Sequence, residues 1–368
     1  VKHHNLVAMS EMPIEDFVAV VPAGGVGSRL WPLSRPDRPK FLLDLLGTGT
    51  TLLQGTLERL APLTPDAVVV TGAAHSEAVL AQAPALDPTN LLAEPSPRDS
   101  MAAIALAAAV IEHRHGPRVI GSFAADHVIG DPAAFRAAVR TAVGPAREGY
   151  VVTIGIEPAG PSTAFGYIEV GVPLSPGVSR VSAFTEKPDV HTARAMVAHG
   201  GYVWNAGMFV VRTDVLLGHL AALHPELAAG IREIASAWDT AEREAVLGRV
   251  WPGLERISID HAIAEPIAAQ GGVAVVPSVF DWHDIGDFAT LAELTTPDAD
   301  GVVRIGSVGD VRAVGSDGVV AIGASRTLAV VGLHDVIVVE TEDAVLVVSK
   351  SASQLVKDAG TTASGAIS

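Results

Sequence analysis

The chain has 368 residues, of which 49% are hydrophobic and 18% charged, with a formal net charge of −16 and no cysteine. This length exceeds one ordinary core and favours one large and one small domain. The composition excludes a disordered chain, the missing thiols exclude disulfides and a thiolate zinc site, and the charge argues against nucleic acid or an anionic membrane as main partner.

The stretch from Val1 to Met12 has no apolar leader core, so a secretory signal is not expected. No apolar run reaches about 18 residues without a charge or a break, so no membrane-spanning helix is expected either; with the missing cysteines this favours a cytoplasmic address. Residues 17–21 then form a short apolar run that enters a glycine-rich turn. Residues 68–71, 119–120 and 151–155 are runs of the same kind, separated by Ala/Leu-rich helical stretches, notably 100–113. This alternation predicts an α/β fold, a Rossmann-like, mostly parallel sheet flanked by helices, over residues 1–295. After Thr295-Thr-Pro-Asp-Ala-Asp-Gly301 the texture changes to short Val-rich strands with Gly and Asp turns. Residues 296–368 therefore read as a small all-β, β-helix-like domain closed by a short helix at 352–359, with a frayed tail from Ala363. No repeat period is read in it, and the coil type stays open.

Of the 25 basic residues only Lys2, Lys40, Lys187, Lys350 and Lys357 are lysines. A codon bias toward Arg accounts for this without functional consequence. The same bias leaves Lys where a compact ammonium is needed, because Arg is not an equivalent phosphate ligand. Lys40 and Lys187 both fall within motifs.

The first motif is Ala23-Gly24-Gly25-Val26-Gly27-Ser28-Arg29-Leu-Trp-Pro-Leu-Ser-Arg35, followed by Pro39-Lys40. A glycine loop after a strand lets backbone N–H groups approach an anion, although such loops are also ordinary turns. Here Arg29, Arg35, Arg38 and Lys40 make it basic within an acidic chain. A dinucleotide fingerprint lacks its third glycine, since that position is Leu30. A P-loop would need Gly-Lys-Ser/Thr, which Gly27-Ser-Arg does not supply.

The loop resembles the signature of the sugar-nucleotide pyrophosphorylases, and its Trp-Pro-Leu-Ser ending is similar to the mannose-1-phosphate guanylyltransferase branch. Further segments resemble that family in order: Glu94-Pro-Ser-Pro-Arg98-Asp99-Ser100, Ala-Ala-Asp126-His127, Ala-Phe-Gly166-Tyr167, Glu186-Lys187-Pro188, Trp204-Asn205-Ala-Gly207, Ile-Asp260-His and Trp282-His-Asp284-Ile-Gly286. The resemblance covers about residues 17–290 and continues weakly through 332–346. It implies GTP, mannose 1-phosphate, GDP-mannose and pyrophosphate as partners and Mg²⁺ as cofactor. It assigns Ala23, Gly24, Gly25, Gly27, Ser28, Arg29, Lys40, Glu94, Arg98 and Ser100 to the nucleotide. Gly166, Glu186, Lys187 and Asn205 go to the sugar phosphate, Asp126 and Asp284 to the metal, with Arg29, Lys40 and Lys187 as the catalytic cations.

Plainer readings stand beside these. Asp99 or Ser100 serves as a helix N-cap, Glu186 and Lys187 form an exposed ion pair, Trp204 packs rather than stacks, His127 is structural, and Asp260 orients the site or caps a helix. Two departures bear on specificity: Asp99-Ser100 replaces the family's Asn-Thr, and Pro266 follows Glu265 where a Lys is common. No fused isomerase domain is expected, and homo-oligomerisation through the small β domain is. The alternatives are another sugar or base, such as heptose or glucose, or a non-catalytic regulatory relative. The loop disfavours a nicotinamide dehydrogenase and leaves a carbohydrate-binding module without an explanation for its charge.

Overall fold

The structure, a computed structural model, describes residues 12–364. The N-terminal segment before Met12 and the last four residues of the expected tail lie outside the described residues. Residues 356–364 are helical, so Ala363 and Ser364 end a helix. Among the described residues no helix is long and apolar enough to cross a membrane. The chain packs as two compact units, one of residues up to 24, 57–124 and 129–282, the other of residues 25–56, 125–128 and from 283 on.

The first unit is built on a nine-stranded sheet in the order β3-β2-β1-β4-β9-β6-β10-β8-β7. Its strands are β1 (Phe17–Ala23), β2 (Ala67–Gly72), β3 (Leu91–Glu94), β4 (Val119–Ser122), β6 (Val151–Ile156), β7 (Gly166–Ser175), β8 (Val178–Thr185), β9 (Tyr202–Arg212) and β10 (Val273–Ser278). The neighbours β3, β2, β1 and β4 are parallel, as is the pair β6 and β10. β9 runs antiparallel between β4 and β6, and the β7–β8 hairpin closes the far edge. The sheet is thus mixed, and its parallel part coincides with the β–α alternation of the sequence. Strands buried on both faces read as continuous apolar runs, and β1 and β6 are of this kind.

The helix Asp99–His115 is buried at every position from Met101 to Ile111. It carries Ala at 102, 103, 105 and 107–109, and the absence of bulk lets it lie close to β1, β2 and the helices Thr213–Leu223 and Pro225–Ala237. One core joins these elements, with Trp251 wholly buried in it.

In the second unit, β12 (Val303–Ile305), β14 (Val320–Ile322) and β16 (Val336–Glu340) stack in parallel, with β17 (Val345–Ser349) antiparallel on β16. β13 (Val311–Val314) and β15 (Leu328–Val331) form a second parallel pair. Val303 pairs with Val320 and Val320 with Ile337, so one coil takes 17 residues. The domain thus has a regular repeat, which the sequence pattern alone does not reveal. Gly306 and Gly323 repeat it, as do Gly315 and Gly332, all at positive φ where a side chain would be strained. The core of this unit mixes coil residues (Ile305, Ile322, Ile337, Val339) with Leu30, Leu43, Leu45, Ile285 and Phe288 from the loop and inter-strand segments. The short strands β5 (His127–Ile129) and β11 (Trp282–Asp284) pair with each other.

A close ring contact in the first sheet tests this packing. A Cβ on Gly121 in β4 would lie 2.6 Å from both Phe123 Cε2 and Phe17 Cζ, rings that are 2% exposed. Gly121→Ala should lower stability by about 1–3 kcal/mol through overpacking, read as an earlier urea-unfolding midpoint. An unchanged midpoint would show that the rings yield freely.

Candidate active site

Three groups of the anticipated residues come together within their own units. The first lies in the second unit around Lys40. The loop leaving β1 turns at Gly27 (φ 77) into a single 3₁₀ turn, Ser28–Leu30, and is tied by Ser34 Oγ donating to the Gly27 carbonyl. Leu30 is fully buried and anchors the loop, while Gly24, Gly25, Ser28 and Arg29 remain exposed. The Lys40 backbone N–H donates to the Val26 carbonyl at 3.2 Å. A Cβ on Gly27 would stand 2.8 Å from Lys40 Cβ and 3.0 Å from Cγ, so the missing side chain is what lets the loop wrap the lysine stem.

Lys40 is 8% exposed. Its Nζ lies 2.7 Å from Asp126 Oδ2 and 3.2 Å from Asp284 Oδ1, and donates to the Ile285 carbonyl at 3.1 Å. Burial by itself would lower the Lys40 pKa; the Asp126 and Asp284 carboxylates outweigh it and raise the pKa above the ordinary lysine value. For Asp126, burial opposes ionisation, but Lys40 and then His127 hold its pKa below the usual carboxylate range. Ligand atoms of Asp126, His127 and Asp284 all lie within 4.8 Å of one another. A Cβ on Gly286 would meet Arg29 Nη1 at 3.7 Å, which sets the exposed guanidinium beside the segment carrying Asp284.

The second group, in the first unit, contains the sugar-side residues. Gly166 opens β7 and pairs with Asn205 of β9. A Cβ on Gly166 would sit 2.5 Å from Glu186 Oε2, so glycine is required for Glu186 to fold in. That oxygen is buried without a hydrogen-bond partner, while Oε1 pairs with Lys187 Nζ at 3.1 Å. Lys187 adopts a positive φ of 43° and keeps 62% of its side chain exposed. Asn205, 7% exposed, is already engaged: its Oδ1 accepts from Thr153 Oγ1 at 3.1 Å and Gly207 N–H at 3.2 Å, and its Nδ2 donates to Asp260 Oδ1 at 2.6 Å. Burial and the neighbouring Glu186 charge raise the Asp260 pKa, against the Asn205 hydrogen bond, which lowers it. Asp260, assigned above only to orientation or capping, is thus joined directly to Asn205. It opens the π-helical turn Asp260–Ala264, a feature with no legible sequence signal. On the next residue, His261 Nδ1 lies 2.9 Å from Oε2 of Glu265, one turn further on. Phe165 packs on Trp204 and Trp282 at 5.2 and 4.9 Å between centroids, so Trp204 has a packing role.

The third group is the Glu94–Ser100 segment. Arg98 donates to the Pro252 carbonyl, Trp251 Nε1 donates to the Ser96 carbonyl at 2.8 Å, and Ser100 Oγ accepts from the Ile259 N–H at 3.0 Å. Asp99 opens the helix at φ 67 and accepts from the Ser100 N–H. Glu94, at the carboxyl end of β3, is 7% exposed and its Oε1 is buried without a hydrogen-bond partner. Burial pushes its pKa up to about 7.

Comparison with known proteins identifies the family. Residues 18–301 match the family described as nucleotidyl transferase, and residues 309–359 match the MannoseP isomerase/GMP-like β-helix domain. The chain is 38% identical to mannose-1-phosphate guanylyltransferase of Escherichia coli K12 over 355 residues, covering 92% of this chain and 71% of that one. It is 37% identical over 302 residues to the xanthan biosynthesis protein XanB of Xanthomonas campestris pv. campestris, covering 80% of this chain. This chain spans 63% of the length of that relative. A Thermus thermophilus crystal structure, described as a mannose-1-phosphate geranyltransferase, is similar with a TM-score of 0.83 and 33% identity, over 95% of this chain and 99% of that chain.

The buried Glu94 carboxyl has a stability consequence. Its folded pKa, about 7, lies above the ordinary value of 4.5, so the folded state binds the proton more tightly. Stability contributed by the neutral form is lost as pH rises from about 4.5 through about 7. Glu94→Gln removes this dependence. The stability of the Gln variant relative to the parent should rise by about 2–3 kcal/mol between about pH 5 and about pH 8 in urea unfolding. A difference that stays constant with pH would contradict the assignment.

Proposed function

The chain belongs to the nucleotidyl transferase family, and we propose that it transfers GMP from GTP to α-D-mannose 1-phosphate, giving GDP-mannose and pyrophosphate. The observation that carries this reading is the Lys40, Asp126 and Asp284 constellation beside a basic glycine loop. The relatives named as mannose-1-phosphate guanylyltransferases support the substrate pair. The two matched stretches support residues 1–295 as the catalytic domain and 296–368 as the small β domain.

In the reaction an oxygen of mannose 1-phosphate attacks the α-phosphorus of GTP in line. The new O–P bond forms as the bond from the α-phosphorus to the bridging oxygen breaks, and pyrophosphate departs with the electron pair. Such a transfer needs positioning and charge neutralisation rather than a covalent nucleophile, and an anionic sugar phosphate requires no strong base. Backbone N–H groups from Ala23 to Ser28 cradle the phosphates, with Arg29 and Lys40 offsetting charge on the departing pyrophosphate. Lys187 holds the attacking phosphate, Glu186 and Asn205 receive sugar hydroxyls, and Asp260 fixes the Asn205 amide. Glu94, Arg98 and Ser100 serve the base and ribose.

The donor set of two carboxylates, with Asp126 held ionised and one imidazole nearby, fits a hard divalent cation such as Mg²⁺. Asp126 and Asp284 would hold it, and its chemistry is to neutralise charge on phosphate oxygens. Self-association through the coils, supported by exposed Val345 and Val347 on the edge strand β17, and a cytoplasmic address belong to the same reading.

The test is Mg²⁺-dependent pyrophosphate release from each common nucleoside triphosphate, crossed with mannose 1-phosphate and glucose 1-phosphate. Release is expected with GTP and mannose 1-phosphate, and Asp126→Ala or Asp284→Ala should lower it by about 10³-fold or more. Release confined to another pair would move the error to the Asp99-Ser100 segment or the sugar wall. Tight sugar-nucleotide binding without release would mean a regulatory relative.

A further inference from the structure

We infer that Lys40 is the resident counter-cation of the Asp126–Asp284 pair and is exchanged for the divalent ion, so that metal loading is what frees its ammonium for a phosphate. The inference rests on the metal assignment proposed above and adds an order to it. An ammonium has three N–H donors and no acceptor. All three are accounted for by Asp126 Oδ2 at 2.7 Å, Asp284 Oδ1 at 3.2 Å and the Ile285 carbonyl at 3.1 Å. A saturated ammonium has nothing to offer a triphosphate. For Lys40 to serve one, at least one of these partners must be given up.

The stem is held at its base, by the backbone bond to Val26 and by the Gly27 turn pressed against Cβ, Cγ and Cδ, so only the end of the side chain is free to swing. The two carboxylates that Nζ pairs with, Asp126 and Asp284, are the ones assigned above to the cation. Two cations cannot share them at these distances, because like charges repel strongly in a partly buried setting. Lysine suits this exchange and arginine does not: a point-like, rotatable ammonium leaves one set of oxygens and meets another by χ rotation, whereas a planar fork is committed to one geometry. In a chain with 25 basic residues of which five are Lys, the retention of Lys here has a specific reason. By linkage, phosphate binding and metal binding then strengthen one another, and Lys40 opposes metal binding when no phosphate is present.

Two measurements on the full chain test this. The first is Mn²⁺ binding without nucleotide, followed by the loss of the free-ion electron paramagnetic resonance signal. Lys40→Met should bind Mn²⁺ about tenfold more tightly than the parent, because the competing cation is gone, while its affinity for GTP falls. Equal or weaker Mn²⁺ binding by Lys40→Met, with the parent protein still making GDP-mannose, overturns the exchange and leaves the proposed activity standing. Absence of Mn²⁺ binding by either protein overturns the metal assignment and the exchange together. The second measurement needs no variant and holds if Lys40→Met fails to fold. Acetylation of the parent is read lysine by lysine by mass spectrometry, with exposed Lys187 as the internal reference. Lys40 should be slow without metal, several-fold faster with Mn²⁺ alone, and slow again with Mn²⁺ and GTP. A Lys40 rate that Mn²⁺ leaves unchanged or lowers overturns the inference.

Discussion

A single buried ammonium organises the second unit. Lys40 bridges Asp126 and Asp284, residues that stand far apart in the chain and that would repel one another if left unpaired. Burying the ammonium is costly unless it is compensated and hydrogen-bonded, and the partly buried Asp126 and the more exposed Asp284 do both. The compensation accounts for the opposite displacements of the two pKa values, the lysine upward and Asp126 downward, against a burial effect that works the other way in both. It also accounts for the shape of the glycine loop, since the turn at Gly27 closes on the aliphatic stem that carries the charge.

Around that centre the coils act as a foundation. Leu30, Leu43 and Leu45 share a core with Ile305, Ile322, Ile337 and Val339, and Arg35 pairs with Asp343 at the surface. A glycine-rich loop has high conformational entropy when free, and a loop that must present several N–H groups to an anion gains from being anchored by its few apolar residues. The β coils supply the apolar surface for that anchoring. Their own regularity comes from glycines at positive φ, spaced by one coil, at the corners.

The first unit handles charge differently. Glu94, Glu186 and Asp260 are carboxyls with little solvent and few donors, and burial lifts the pKa of Glu94 and Asp260. Groups left in this state are poised to accept hydrogen bonds from a polar ligand, because the cost of desolvation has already been met by the fold. The Thr153, Asn205 and Asp260 chain shows the supporting arrangement, in which one amide is fixed through its oxygen and one N–H.

The sequence by itself determined the alternation of strands and helices, the change of texture after residue 295, the basic glycine loop and the identity of the residues worth watching, because these are local properties of periodicity, turn chemistry and spacing. The 17-residue coil was not among these: the glycines at 306 and 323 and at 315 and 332 mark it, but short valine runs resemble one another in every register and hide the period until the pairing is known. The antiparallel β9 inserted between β4 and β6, the bond of Asp260 to Asn205, and the saturation of Lys40 were decided only by tertiary structure. Each depends on which distant segments are brought within a hydrogen bond of one another, and no local pattern carries that information, because the free energy that selects the partner is released only when both are buried together.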